Sequence, residues 1–162
     1  MKEALRVGVL TVSDRSARGE REDESGPALG RLIQRLGWAA VVSAVVPDDR
    51  RKIAALLRRW CAPSAGLDLV LTTGGTGLGP RDVTPEATLA VVDKAAPGLS
   101  ELMRARGLRK TPFAALSRGV CGSLRRTLVV NLPGSPRGAR ESLEAVAEVL
   151  PHAVKMLRGG GH

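Results

Sequence analysis

The run LTTGGTGLGPRDVTPEA, Leu71 to Ala87, decides how this chain folds: an apolar strand breaks into a glycine-dense turn that delivers a carboxylate just ahead of a helix start. Gly74, Gly75, Gly77 and Gly79 carry no Cβ, so the backbone there can take positive φ, come close to a ligand and turn its N–H groups on an anion. Asp82 sits among those donors. Two familiar phosphate-binding patterns fail to match, because the third glycine of GxGxxG is missing and no GK[ST] follows. From these residues alone, a tight strand-to-helix connection and a nucleotide site both stay open.

Outward from this run, apolar stretches alternate with amphipathic ones, the signature of successive βα units. Upstream, Leu5 to Val12 reads as a strand, Gly26 to Leu36 as a helix stopped at Gly37, and Ala39 to Val46 as a second strand ended by Pro47. Ile53, Leu56, Leu57, Trp60 and Cys61 mark one face of a helix, and Leu67 to Thr72 forms the strand that enters the glycine loop. Short strands apolar on both faces suit a parallel sheet covered by helices. Downstream, Thr84 reads as an N-cap with Pro85 behind it. Pro97 and Gly98 end that helix, and Leu99 to Arg106 forms another. The stretch to Arg126 reads as loop-rich, and Thr127 to Leu132 as the last strand. Ser135 and Pro136 open a closing helix that Pro151 kinks or divides. The expected fold is a single-domain α/β protein, a three-layer α/β/α sandwich with a mostly parallel sheet over residues 1–158 and a flexible tail at 159–162.

Composition narrows the function classes. With 43% apolar and 25% charged residues in 162, the chain can bury a substantial core and needs no disorder to explain it. No apolar run approaches the roughly 20 residues that span a bilayer. The beginning MKEALRVGVLTV reads directly into a strand, so a cytoplasmic protein without membrane association is expected. Cys61 and Cys121 form no CxxC pair and read as buried, reduced thiols. His152 and His162 are too isolated to centre catalysis. A net charge of +9 favours an anionic partner. The basic residues are nevertheless spread over several helices, and Trp38, Trp60 and Phe113 are too few for a base-stacking platform, which makes nucleic acid the lesser reading.

In a doubly wound sheet the ligand crevice lies at the carboxyl ends of the strands, where this sequence gathers its reactive residues. Ser13 and Asp14 follow the first strand, and Asp48 and Asp49 the second. Thr73 to Gly77 and Asp82 follow the third, and Asn131 with Pro133, Gly134 and Ser135 the last. Carboxylates beside anion-binding backbone make sense when a divalent cation bridges them to phosphate oxygens, which points to phosphoryl or nucleotidyl transfer. Plainer roles stand beside these: Asp48 as a helix N-cap, Asp14 paired with Arg15 or capping a turn, and Ser135 as a cap alone.

TVSDR (Thr11 to Arg15), VPDD (Val46 to Asp49), LTTGGTG with RDVTPEAT (Leu71 to Thr88), LSR (Leu116 to Arg118) and NLPGSP (Asn131 to Pro136) occur in the order and spacing of one family. Over nearly its whole length the chain resembles the molybdopterin adenylyltransferases of molybdenum cofactor biosynthesis. The resemblance implies a subunit of a homotrimer that takes molybdopterin and ATP as substrates and Mg²⁺ as cofactor. Its products would be adenylyl-molybdopterin and pyrophosphate, with a molybdenum-insertion protein as downstream partner. It further implies that Asp48 and Asp82 are catalytic and position magnesium, directly or through water. Ser13, Asp14, Thr73, Gly74, Gly75, Thr76 and Gly77 would hold nucleotide and phosphate, and Ser117, Arg118, Asn131, Pro133, Gly134 and Ser135 would face the pterin. A compact subgroup that ends in PGSP keeps the fold without clear adenylylating activity. A non-catalytic pterin-binding paralogue is therefore the alternative, and a basic nucleic-acid module a distant one.

Overall fold

A computed structural model describes residues 4–161, so the first three residues and His162 lie outside the described region. Strands β1 (Arg6–Val12), β2 (Ala39–Val46), β3 (Leu69–Thr73), β4 (Lys94–Ala95), β5 (Cys121–Leu124) and β6 (Thr127–Leu132) form one sheet in the order β2-β1-β3-β6-β5-β4. The four strands β2, β1, β3 and β6 run parallel, and β5 and β4 close the other edge antiparallel. The helices are α1 (Asp14–Ala17), α2 (Ser25–Arg35), α3 (Arg50–Trp60), α4 (Thr84–Leu89), α5 (Pro97–Leu108), α6 (Pro136–Val146) and α7 (Leu150–Leu157). Short 3-10 turns occupy Pro63–Ala65 and Pro112–Leu116. Among the described residues no helix is long and apolar enough to cross a membrane.

The parallel strands divide their side chains between two cores because successive residues of a strand point to opposite faces. Val7, Val9, Leu69, Leu71, Leu128, Val130 and Leu132 pack against α2, α6 and α7 through Leu29, Ile33, Leu143 and Val154. Leu10, Val12, Val70 and Val129 meet Ile53, Leu57, Trp60, Ala87 and Val91 on the opposite face. This is the expected three-layer sandwich. Both cysteines are buried free thiols, and burial pushes each up to about 11, so neither is a nucleophile at neutral pH.

Several local expectations change. The helix opened near Thr84, expected to run until Pro97 and Gly98, ends at Leu89, and Lys94–Ala95 pairs as β4. The β2 strand, expected to be covered on both faces, is a sheet edge with Val41 and Val45 about 40% exposed. Helix α5 starts at Pro97 itself, where a proline without an amide hydrogen opens the first turn, rather than at Leu99. The loop-rich stretch before Arg126 contains β5, paired antiparallel with β6 through a two-residue turn in which Arg125 sits at φ 56°. Its usual signal, glycine or asparagine at positive φ, is missing; the Arg125 N–H donates instead to Asp93 Oδ2 at 2.7 Å. Pro151 behaves as expected, since α6 and α7 are separate helices.

The sheet order makes β1 and β3 a switch point: from β1 the chain crosses one way to β2 and returns to the other side as β3. The crevice therefore opens over Val12 and Thr73. At the opposite end, Asp68, only 6% exposed, accepts from Arg6 N–H at 2.9 Å and from Arg158 Nη2 at 2.6 Å, tying the end of α7 to the sheet. Asp68→Ala would leave the Arg6 N–H without its acceptor and remove the ion pair to Arg158. It is expected to lower unfolding free energy by about 1 to 3 kcal/mol, measured by urea denaturation.

Candidate functional site

The glycine loop can cross the sheet only because its first two residues lack side chains. Gly74, at φ 102°, packs its Cα so close to β1 that a Cβ would lie 2.2 Å from the Val12 carbonyl oxygen. Its N–H donates to Leu132 O at 3.2 Å, which joins the ends of β3 and β6. Gly75 follows at φ 68°, where a Cβ would meet Thr84 Oγ1 at 2.3 Å. Thr84, expected to cap α4, is instead its first residue. Its hydroxyl donates to Gly74 O at 2.9 Å and its N–H to Gly75 O at 3.1 Å, so the threonine closes the loop onto its own start.

The neighbouring loop settles which of two adjacent aspartates caps a helix. Asp49 is the N-cap of α3, accepting from Arg51 and Lys52 N–H groups at 2.9 and 3.0 Å, and Asp48 is released to the crevice. Asp48 and Asp14 brace one another: Asp48 Oδ2 accepts from Asp14 N–H at 2.9 Å, and Asp14 Oδ1 from Asp48 N–H at 3.0 Å. Asp14 pairs with Arg81 rather than with Arg15, at 3.0 and 3.1 Å. Across the crevice Asp82 Oδ2 accepts from Gly79 N–H at 3.0 Å and lies 2.9 Å from where a Cβ on Gly77 or Gly79 would stand. Asp48 Oδ1 lies 3.1 Å from the corresponding point on Gly75. Both carboxylates thus rest on glycine backbone, brought together from separate loops.

Two cavities flank the loop. The first, about 390 Å³, is lined by Asp48, Asp82, Ser13, Thr73, Gly74, Gly75, Gly134 and Ser135. The second, about 350 Å³, is lined by Thr76, Gly77, Ser117, Asn131, Pro133 and again Ser135, beneath an apolar mouth of Met103, Phe113 and Leu116. The Thr73 to Gly77 run is therefore the wall between them. Asn131 is buried, with Nδ2 donating to Thr72 and Thr88 hydroxyls at 2.9 and 3.0 Å and Oδ1 accepting from Val120 N–H at 3.2 Å. Ser135 caps α6 by accepting from Gly138 N–H at 3.0 Å, as capping alone predicts. Arg118 lines neither cavity; its guanidinium binds the glycine loop and Glu86.

Sequence reasoning missed four residues here. Asp23 lines the first cavity, accepting from the Thr11 hydroxyl at 2.8 Å and from Gly26 N–H at 3.0 Å. Ser25 donates to Gly134 O, and Arg81 and Glu86 hold Asp14 and Arg118. The D-x-S-G step from Asp23 to Gly26 was the available signal, since a carboxylate three residues before a helical glycine N–H is an N-terminal capping arrangement.

The electrostatics distinguish the aspartates. Hydrogen bonds from Arg81 hold the Asp14 carboxyl below the ordinary value. Asp48 is pushed up, first by burial and then by the Asp14 and Asp82 charges, against the opposing hydrogen bond from Asp14 N–H. Its negative charge is under-compensated, a condition a cation would relieve. Among the described residues no group of three or more His, Cys, Asp or Glu side chains could hold a metal alone. Two carboxylates do fit magnesium, which takes one or two protein oxygens and completes its shell from phosphate and water.

The chain as a whole is similar to known proteins. The family described as a probable molybdopterin binding domain matches residues 8–152. A molybdopterin adenylyltransferase of Helicobacter pylori is 41% identical over 159 residues, covering 97% of this chain and 90% of that protein. The molybdenum cofactor synthesis protein cinnamon of Drosophila melanogaster is 42% identical over 156 residues. That match covers 96% of this chain and 26% of the fly protein, so the chain spans about a quarter of that relative. The crystal structure of the molybdopterin biosynthesis enzyme MoaB from Thermus thermophilus is 56% identical, with a TM-score of 0.90 over 96% of this chain and 97% of that one.

Two outcomes test the geometry. Gly75→Ala places a side chain at positive φ against Thr84 and should destabilise the fold by about 1 to 3 kcal/mol in chemical denaturation. Asp48→Asn should behave oppositely. A carboxyl with a raised folded-state pKa penalises folding at pH above both its values, and the penalty vanishes below the unfolded value. The variant, whose amide oxygen can still accept from Asp14, is therefore expected to melt at or above the wild-type temperature at pH 7, with the difference shrinking below about pH 4.

Proposed function

The chain belongs to the molybdopterin-binding domain family, and from that membership we propose that it acts in molybdenum cofactor biosynthesis as a molybdopterin adenylyltransferase. One observation carries this reading: Asp48 and Asp82 reach a single cavity from different loops, each against glycine backbone that can face a polyphosphate. We assign ATP to that cavity and the pterin to the apolar-mouthed one, with the loop from Thr73 to Gly77 and Ser135 at their boundary.

In the reaction a terminal phosphate oxygen of molybdopterin bonds to the α-phosphorus of ATP, while the bond from that phosphorus to the bridging oxygen breaks and its electrons leave on pyrophosphate. The attacking phosphate is already ionised near neutral pH, so no general base is required. Asp48 and Asp82 orient rather than abstract protons. Asp48 and Asp82 would hold magnesium, which when bound would neutralise charge at the leaving group. The protein supplies alignment: the loop is held by Thr84 and Gly74, so its donors need no reorganisation when charge shifts. The basic surface draws in both polyanions. The partly exposed edge valines of β2 are apolar surface of the kind a subunit interface covers, in keeping with the homotrimer that the resemblance implies.

The deciding assay is pyrophosphate release from ATP, with the adenylylated product identified by mass. Release is expected to require both magnesium and molybdopterin, and Asp82→Asn should lower it at least about 100-fold while the melting temperature holds. Pterin binding without release would assign the chain to the non-catalytic paralogues. Salt-sensitive DNA binding without ATP affinity would support the nucleic-acid reading instead.

A further inference from the structure

Arg118 makes more of the glycine loop than any ligand role would require. Its own N–H donates to Thr76 O at 2.9 Å, its Nε to Gly77 O at 2.7 Å and its Nη2 to Asp82 O at 2.9 Å, while Nη1 pairs with Glu86 Oε1. One residue thus grips the loop on the near side of its exposed tip, again at Asp82, and anchors to the first turn of α4. The tip itself, from Leu78 to Arg81, is exposed. Within the tip Asp82 N–H donates to Gly79 O at 3.0 Å, which closes a turn, and Arg118 is what ties that turn to Gly77 and to α4. The fork geometry matters, because a guanidinium presents donors in one plane to several acceptors where an ammonium is a single point.

We propose that Arg118 is a positioning residue for the transfer reaction: it sets the shape of the loop from Thr76 to Asp82 and so aims the Asp82 carboxylate, instead of binding the pterin. This rests on the adenylyltransferase reading for its catalytic consequence but not for its structural one. The Asp82 carboxylate takes its direction from Gly79 N–H inside the same clamped segment, so releasing the Gly77 and Asp82 carbonyls frees the carboxylate as well. Glu86 is the anchor and not the effector. Its second oxygen is buried without a hydrogen-bond partner, so removing Arg118 alone would take away the ion pair that offsets that burial and leave the carboxylate to solvent and Arg50. That cost to stability has to be separated from any effect on the loop.

The test compares Arg118→Ala, Arg118→Lys, Glu86→Gln and the Arg118→Ala/Glu86→Gln double variant in the full chain. Two quantities are read: amide hydrogen exchange of residues 76–82 by mass spectrometry, and kcat and KM for molybdopterin and ATP. In both variants lacking a residue-118 cation, exchange in 76–82 is expected to rise at least about tenfold with other segments unchanged, and kcat to fall about 100-fold at near-constant KM for molybdopterin. Glu86→Gln keeps an acceptor for the guanidinium and should lower kcat by less than Arg118→Ala does. The double variant should regain stability without regaining kcat, and lysine should rescue only partly. Unchanged exchange in 76–82, or a raised molybdopterin KM at unchanged kcat, overturns the proposal. Absence of turnover in the wild-type chain would overturn the adenylyltransferase reading, and the exchange comparison then decides the clamp by itself.

Discussion

The contact of Gly74 with the end of β1 is the constraint on which the rest of the site depends. The third strand must end beside β1, and its continuation has to turn back across the sheet toward α4 through a space already occupied by the Val12 carbonyl. Only a residue without a Cβ, in a conformation closed to most side chains, makes that passage. Once the backbone lies there, its neighbours are determined in turn: Leu132 takes the Gly74 N–H, Thr84 takes the Gly74 and Gly75 carbonyls, and Gly134 packs against Gly74. The ends of three parallel strands and the start of one helix are joined by this close packing and a few hydrogen bonds.

On that framework the charges are arranged unequally. Asp14 is stabilised as an anion by Arg81, and Asp49 by the first turn of α3. Asp48 alone is raised by burial among like charges. Proteins tolerate such a group where its deficit has a use, and under the proposed function a cation arriving with the substrate would supply the compensation. The strain is local, because the surrounding cores are apolar on both sides of the sheet and contribute stability independently of the crevice.

How much of this was legible before the fold was known can be judged residue by residue. The strands β1, β2, β3 and β6 and the helix α2 were read within a residue or two of their ends, and α3 and the start of α6 were placed, since their apolar periodicities are strong and proline or glycine marks several boundaries. The two aspartates and the glycine loop were legible as a group because the carboxyl ends of parallel strands share one edge. The short strand β5 was not, because its turn uses Arg125 at positive φ and carries no residue that favours it. Nor was the division of labour between Asp48 and Asp49, which differ by one position and have equal capping chemistry.

What the sequence by itself determined was the order of apolar and polar stretches, the places where only glycine fits and the motifs that identify the family, all of which are local or periodic properties of a chain. Only the tertiary structure decided that Asp14 would serve Arg81 and Asp48, that Thr84 would close a loop instead of capping a helix, and that Arg118 would grip the loop carrying Asp82. Each of these joins residues ten to sixty-seven positions apart. Side-chain hydrogen bonds act over about 3 Å, and which acceptor falls within that reach is set by how the strands and loops are packed.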